Sequence, residues 1–160
     1  MNIKLFATGG TIDKIYFDAN SEFQVGEPAT ADILKQGNIT FQYEIESILK
    51  KDSLDLTDKD RDLIFNKVKN TKHNKILITH GTDTLTATAN KLLAIKDKTI
   101  VLTASMQPAI IKRSDASFNI GVAIAAVQLL QPGVYIAMNG KIFNPGKVKK
   151  NLNKKIFEEI

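Results

Sequence analysis

A chain of 160 residues with 43% hydrophobic content is long enough for one domain around one core and too short for two ordinary ones. The absence of cysteine excludes disulfides, thiolate catalysis and cysteine-ligated zinc, the two histidines, His73 and His80, lack the spacing of a zinc pair, and no apolar run approaches the roughly 18 residues of a membrane span. The formal charge of +5 leaves room for an acidic partner such as RNA, but the excess is concentrated in residues 141–160, whose lysines are not interleaved as a nucleic-acid footprint usually is, so this tail reads as a solvated end.

Met1 leads directly into a strand over residues 2–7 without a signal-peptide pattern, so the expected compartment is the cytoplasm. Ile3, Leu5 and Phe6 mark this strand as central, and Gly9-Gly10 ends it in a sharp turn. Residues 13–28 carry no sustained period and read as a long functional loop. A short helix over 29–36 stops at Gly37. Ile39, Phe41, Tyr43 and Ile45 alternate with polar residues, the signature of a half-buried edge strand. Thr57 and Asp60 then cap a helix with Leu63, Ile64, Phe65 and Val68 as its apolar positions. A strand at 75–79 is followed by Thr79-His80-Gly81-Thr82-Asp83-Thr84, a helix from Leu85 to about Ile95 and a strand at 99–103. From Asp115 to Leu130 a helix is expected to bury Phe118, Val122, Ala125, Ala126 and Leu129, and Val134 to Ala137 reads as the last strand. The alternation predicts one α/β domain over 1–160: three layers, α/β/α, with a mainly parallel, doubly wound sheet and right-handed crossovers.

Two loops rich in hydroxyls and glycines, Ala7 to Asp13 and Thr79 to Thr84, therefore follow two strands, where ligands bind in open α/β sheets. Thr11 is a candidate nucleophile, because Gly9 and Gly10 let a carbonyl approach it closely. Thr82 and Asp83 offer a second hydroxyl and a carboxylate, and a lysine near that carboxylate would complete a relay that polarises Thr82. Backbone N–H groups at the turns can stabilise an oxyanion. The same residues also serve as ordinary turn formers and helix caps, Tyr16 as a packed loop aromatic, His80 as a satisfied structural residue and Ser53 as a turn residue.

Ala7 to Ile12 and Thr79 to Leu85 closely resemble the two signature motifs of the bacterial-type L-asparaginases, and the resemblance continues through Asp52-Ser53-Leu54-Asp55, Ser105 to Pro108, Ser114-Asp115, Phe118-Asn119 and Met138-Asn139. It implies hydrolysis of asparagine to aspartate and ammonia through a threonyl acyl-enzyme, without metal or cofactor. By this resemblance Thr11 is the nucleophile and Tyr16 its hydrogen-bonding partner. Thr82, Asp83 and Lys150 form the supporting triad, while Gly10, Ser53, Gly81, Thr82 and Asp83 surround the substrate, Ser53 at its α-carboxylate and Asp83 at its α-amino group.

Two departures from the family pattern stand out. Leu54 occupies the position of a substrate-binding glutamine, and the smaller C-terminal domain of longer members has no counterpart, so the chain resembles their N-terminal domain alone and is expected to self-associate with the site near a subunit boundary. These departures keep other readings open: a glutaminase, the ammonia donor of an RNA-linked amidotransferase, or a non-catalytic amino-acid-binding module.

Overall fold

A computed structural model describes residues 2–17 and 21–160. Its centre is a six-stranded sheet built from β1 (Asn2–Gly9), β4 (Gln42–Lys51), β5 (Lys75–Thr79), β6 (Thr99–Thr103), β7 (Gly133–Met138) and β8 (Lys141–Phe143), in the order β4-β1-β5-β6-β7-β8. All neighbours are parallel except β7 and β8. Helices α1 (Thr30–Gln36), α2 (Asp58–Asn70), α3 (Leu85–Leu92) and α4 (Ala116–Leu129) cover the two faces.

Side-chain alternation along the strands builds two cores. Phe6, Ile76, Ile78, Ile100, Leu102, Ile136 and Met138 pack on α2 and α3 through Ile64, Val68, Leu85, Ala89 and Leu92. Ile3, Leu5, Leu77, Val101 and Ala137 point the other way, onto Leu34 of α1 and Ala123, Ala126 and Val127 of α4. Strands buried on both faces are nearly continuous in apolar residues, which is why β1, β5 and β6 are plain in the sequence. The sheet is thus the expected three-layer, mainly parallel one, with β4 at its edge.

The order reverses between β1 and β5. From β1 the chain moves outward to β4, and from β5 it moves the opposite way through β6 to β7. The connections that follow β1 and β5 therefore run in opposite directions, and it is at such a switch point, at the sheet's carboxyl edge, that open α/β sheets bind ligands. The crossovers do not share one hand: β5–α3–β6 and β6–α4–β7 run in the same direction, yet α3 and α4 lie on opposite faces. They cannot all be right-handed as expected. One consequence is that the chain after β6 crosses the carboxyl edge toward the α1 face, and on the way Ala109 N–H donates to Ile12 O at 3.1 Å.

Three further expectations are corrected. Residues 13–28 are not one loop but include an antiparallel pair, β2 (Lys14–Phe17) with β3 (Glu22–Val25); residues 18–20 of that segment lie outside the described residues. Helix α4 buries Ala116, Asn119, Ile120, Ala123, Ala126 and Val127, whereas Phe118 and Leu129 are exposed. The tail is structured as well. Asn139 and Gly140, both at positive φ (53° and 76°), make the tight turn from β7 into β8. Beyond it, β9 (Val148–Asn151) and β10 (Ile156–Glu159) form a separate hairpin that buries Val148 and Phe157 in the core against α2 and α3. Among the described residues no helix is long and apolar enough to cross a membrane.

Candidate active site

Because β4, β1 and β5 are adjacent and parallel, the loops that follow them emerge side by side. Their glycines set how close they come. A Cβ on Gly10 would lie 2.5 Å from the Cα and N of Gly81, and one on Gly81 would lie 2.5 Å from the Cβ and Oγ of Ser53. Gly10 has φ 86°, and its N–H donates to Lys51 O at 2.8 Å. The three loops thus meet along a seam that admits no side chain, and Thr11 and Thr82 each follow directly on a seam glycine. Not every hydroxyl at this edge is free for chemistry: Thr8 donates to Thr79 O and Thr103 to Ala137 O, pinning neighbouring strands at their ends.

Around Thr82 the geometry is specific. Lys150 of β9 donates through Nζ to Thr82 Oγ1 at 2.8 Å and to Asp83 Oδ1 at 2.6 Å. The hydroxyl oxygen of Thr82 is therefore taken by an ammonium, which leaves its hydrogen to donate elsewhere. Asp83 N–H donates to Ser53 Oγ at 3.2 Å, and Thr84 Oγ1 donates to Ser53 O at 2.7 Å. Ser53 is buried beneath the loop after β5, and among the described residues no acceptor engages its hydroxyl hydrogen. Among the described residues Lys150 engages only Oδ1 of Asp83, which leaves Oδ2 for a cationic group.

His80 is the support under this loop. It is fully buried, with Nδ1 2.8 Å from Gly81 O and Nε2 2.8 Å from Thr88 Oγ1. The carbonyl can only accept, so Nδ1 carries the proton and Nε2 accepts from Thr88. Burial is the main reason that its pKa falls to about 4, with the nearby Arg61 charge adding to it against the bond to Gly81. His80 is thus the satisfied structural residue anticipated from the sequence.

Thr11 opens a 3₁₀ turn (Thr11–Asp13) and is half-buried. Among the described residues no side-chain hydrogen bond engages its hydroxyl. The structure does not join Tyr16 to it: Tyr16 is 49% exposed on β2 and packs edge-to-face on Phe23 at 5.6 Å. Leu54, in the glutamine position, is 73% exposed.

Two groups near the site were named within sequence motifs but given no role there. Asp13 is buried two residues beyond Thr11, where its Oδ1 accepts from Ala29 N–H at 2.8 Å and its backbone O accepts from Gly26 N–H at 2.8 Å. Burial pushes its pKa up to about 7, against that hydrogen bond and with help from the charge of Glu27. It closes the base of the β2–β3 hairpin, beside a cavity of about 240 Å³ bordered by Ile12, Ile15 and Ala29. The hairpin is also held to the loop after β4 by Lys14–Asp52 (2.7 Å), and the segment that follows β3 is held to β4 itself by Lys50–Glu27. The second group is Asp115, whose carboxylate accepts from the N–H groups of Met106 and Gln107 and so shapes the loop after β6. Asp13 lies in the first hydroxyl-rich loop and Asp115 in one of the stretches that carry the family resemblance, but nothing in the sequence indicated what either carboxylate bonds to. Among the described residues no cluster of His, Cys, Asp and Glu could hold a metal ion.

Comparison with known proteins gives this geometry a context. The family model described as "Asparaginase, N-terminal" matches residues 2–157. A glutaminase-asparaginase of Acinetobacter glutaminasificans is 33% identical over 170 residues, covering 95% of this chain and 50% of that protein. The solved structure of the thermostable L-asparaginase from Thermococcus kodakarensis superposes with a TM-score of 0.85 at 30% identity, covering 100% of this chain and 51% of that one. A probable cytoplasmic L-asparaginase from Campylobacter jejuni does so with a TM-score of 0.82 at 27% identity, covering 99% and 52%. The chain spans about half the length of these relatives.

Proposed function

The chain belongs to the asparaginase family, and from that premise we propose that it hydrolyses L-asparagine to aspartate and ammonia through a threonyl ester. The observation that carries this reading is the Lys150 ammonium bonded to both Thr82 and Asp83, beside a glycine seam that brings the Thr11 loop against the Thr82 loop.

In the proposed sequence, Thr11 Oγ attacks the side-chain amide carbon. A carbon–oxygen bond forms, and the carbonyl electron pair moves onto oxygen. Thr82 takes the proton of Thr11 as its own passes to the amide nitrogen, so the carbon–nitrogen bond breaks with release of neutral ammonia. Lys150 stays an ammonium throughout, stabilising the transient charge on Thr82, and Asp83 balances Lys150. Attack of water on the ester then yields aspartate and restores Thr11. Backbone N–H groups at the seam are the donors best suited to the oxyanion. Asp83 Oδ2 suits the α-amino group and Ser53 the α-carboxylate. With Leu54 in place of a glutamine, recognition of the amine rests on Asp83. We propose that the Tyr16 hydroxyl hydrogen-bonds Thr11 when substrate is bound, which a Tyr16→Phe variant tests through loss of turnover. No step calls for a cofactor.

The decisive experiment is ammonia release from asparagine and glutamine at matched concentrations, with Thr11→Ala and Thr82→Ala alongside. Each variant is expected to lose turnover and keep the parental circular dichroism spectrum; turnover retained in either counts against the assignment. A glutaminase reading is the second one, favoured by the name of the Acinetobacter relative. One methylene in a pocket discriminates by only about 1–3 kcal/mol, so the same site can serve both amides.

We also infer self-association near the site, because Ile15, Tyr16, Phe17 and Phe23 leave an apolar surface on the β2–β3 hairpin. Sedimentation giving only monomer in an active sample contradicts this. A cytoplasmic setting is proposed in line with the name of the Campylobacter protein, and release of activity by osmotic shock would overturn it.

A further inference from the structure

Lys150 lies on a two-stranded hairpin outside the main sheet, and an isolated pair of strands is at best marginally stable in water. Something must fix where that lysine points. Val148 and Phe157 supply burial, which is non-directional. The directional tether is a chain of hydrogen bonds that begins on α4. Asn119 is buried, and its Nδ2 donates to Ala104 O at 3.0 Å and to Asp115 Oδ2 at 2.9 Å. Its Oδ1 accepts from Asn139 N–H at 3.2 Å, and the Oδ1 of Asn139 accepts from Phe157 N–H at 2.8 Å. Turning either amide over would set donor against donor, so both orientations are fixed by the network.

Phe157 is the direct cross-strand partner of Lys150. Its N–H points out of the hairpin toward Asn139, which makes the pair a non-hydrogen-bonded one with the two side chains on the same face. The relay thus ends on the residue opposite Lys150. We propose that Asn139 is a positioning residue that, held by Asn119, orients the β9–β10 hairpin so that Lys150 reaches Thr82 and Asp83. That this orientation serves turnover rests on the amidohydrolase reading above; the orientation itself does not.

Asn139 suits the task twice over. Its φ of 53° requires a residue tolerant of the left-handed region, and its side chain supplies the acceptor. Two variants separate these roles. Asn139→Gly keeps the turn and removes the acceptor, while Asn139→Asp keeps both. In Asn139→Gly the Phe157 amide is expected to exchange faster, the Lys150 ammonium NMR signal to weaken through exchange, and kcat to fall about 10- to 100-fold with KM little changed. Asn139→Asp should restore all three. Thr57→Ala, which weakens the capping box of α2 without touching the relay, controls for lost stability and should leave kcat at the parental value. The proposal is overturned if Asn139→Gly leaves the Lys150 signal and the Phe157 exchange rate unchanged, or if Thr57→Ala lowers kcat as much. If the parental chain releases no ammonia from either amide, the amidohydrolase reading fails, and the Lys150 signal and Phe157 exchange still decide the relay.

Discussion

The ammonium of Lys150 donates to the hydroxyl of Thr82 at 2.8 Å, joining residues 68 apart in the sequence. Lys150→Met removes that donor from a partly exposed position, so the sheet should remain intact. Ammonia release is expected to fall by about 10²–10³-fold in kcat/KM, the usual cost of losing one oriented donor in a site. Lys150→Arg should not restore it, because a planar fork cannot replace a compact ammonium between Thr82 and Asp83. Near-parental turnover in Lys150→Met would remove Lys150 from the mechanism.

The glycine seam makes a prediction about stability. Gly10→Ala must relieve a 2.5 Å contact with the backbone of Gly81 and adopt φ 86°, and Gly81→Ala meets Ser53 at the same distance. Each should cost more than about 2 kcal/mol in urea denaturation, because the seam can relieve such a contact only by shifting one loop against another. Gly121 is the contrast: it lies within α4, where an added Cβ meets nothing within 4 Å. Gly121→Ala should stabilise by about 0.5–1 kcal/mol.

Asp13 gives stability a pH dependence of unusual sign for a carboxylate. Its folded pKa of about 7 lies above the unfolded value of 3.8, so between these values the native state holds more protons. Its contribution is complete below pH 4 and is lost as the pH rises toward and through 7. The loss is up to about 4 kcal/mol, because each tenfold difference in proton affinity between the folded and unfolded chain is worth about 1.4 kcal/mol. Asn at this position still accepts from Ala29 N–H. Urea midpoints of Asp13→Asn relative to the parent should therefore rise between pH 4.5 and 8, and a constant difference would refute the buried proton.

His80 works in the opposite direction. With a folded pKa of about 4 against 6.5 unfolded, the unfolded chain binds the extra proton, so this contribution is present above pH 6.5 and lost as the pH falls toward 4. The imidazole should show a single neutral tautomer with the proton on Nδ1 down to about pH 5 in nitrogen-detected NMR. A ring that titrates near 6.5 would mean that the loop after β5 is open to water.

What the sequence disclosed, it disclosed through burial on two sides. Ile76-Leu77-Ile78 and Ile100-Val101-Leu102 are unbroken apolar runs because each alternate residue meets a different helix layer, and the reactive loops were legible because they follow such runs. Residues 14–25 gave no pattern because both strands of that hairpin stand largely in solvent, with Ile15, Tyr16 and Phe17 exposed in succession. The buried face of α4 was misread for a different reason: the helix is apolar nearly all round, so Phe118 and Leu129 fit a helical stripe as well as Ile120 and Ala123 do. Close approach to the sheet selected the stripe of small residues, and Asn119 sits within it to bond Ala104 and Asp115. In the tail, Val148 and Phe157 are too few among lysines to announce a hairpin, yet their burial is what anchors the hairpin that bears Lys150 to the core.

The hairpin that bears Lys150 has one attachment of a kind different from the ion pairs at the β2–β3 hairpin. Lys14–Asp52 and Lys50–Glu27 are ion pairs near the surface, whereas Asn139–Phe157 is a neutral, part-buried bond. Dissolved electrolyte shortens the reach of the first pair of contacts and barely affects the last. The Lys150 hairpin also carries an ion pair, to Asp83, so added salt acts on both flanks of the site, and on the Lys150 side the Asn139–Phe157 bond is the contact that holds register when it does.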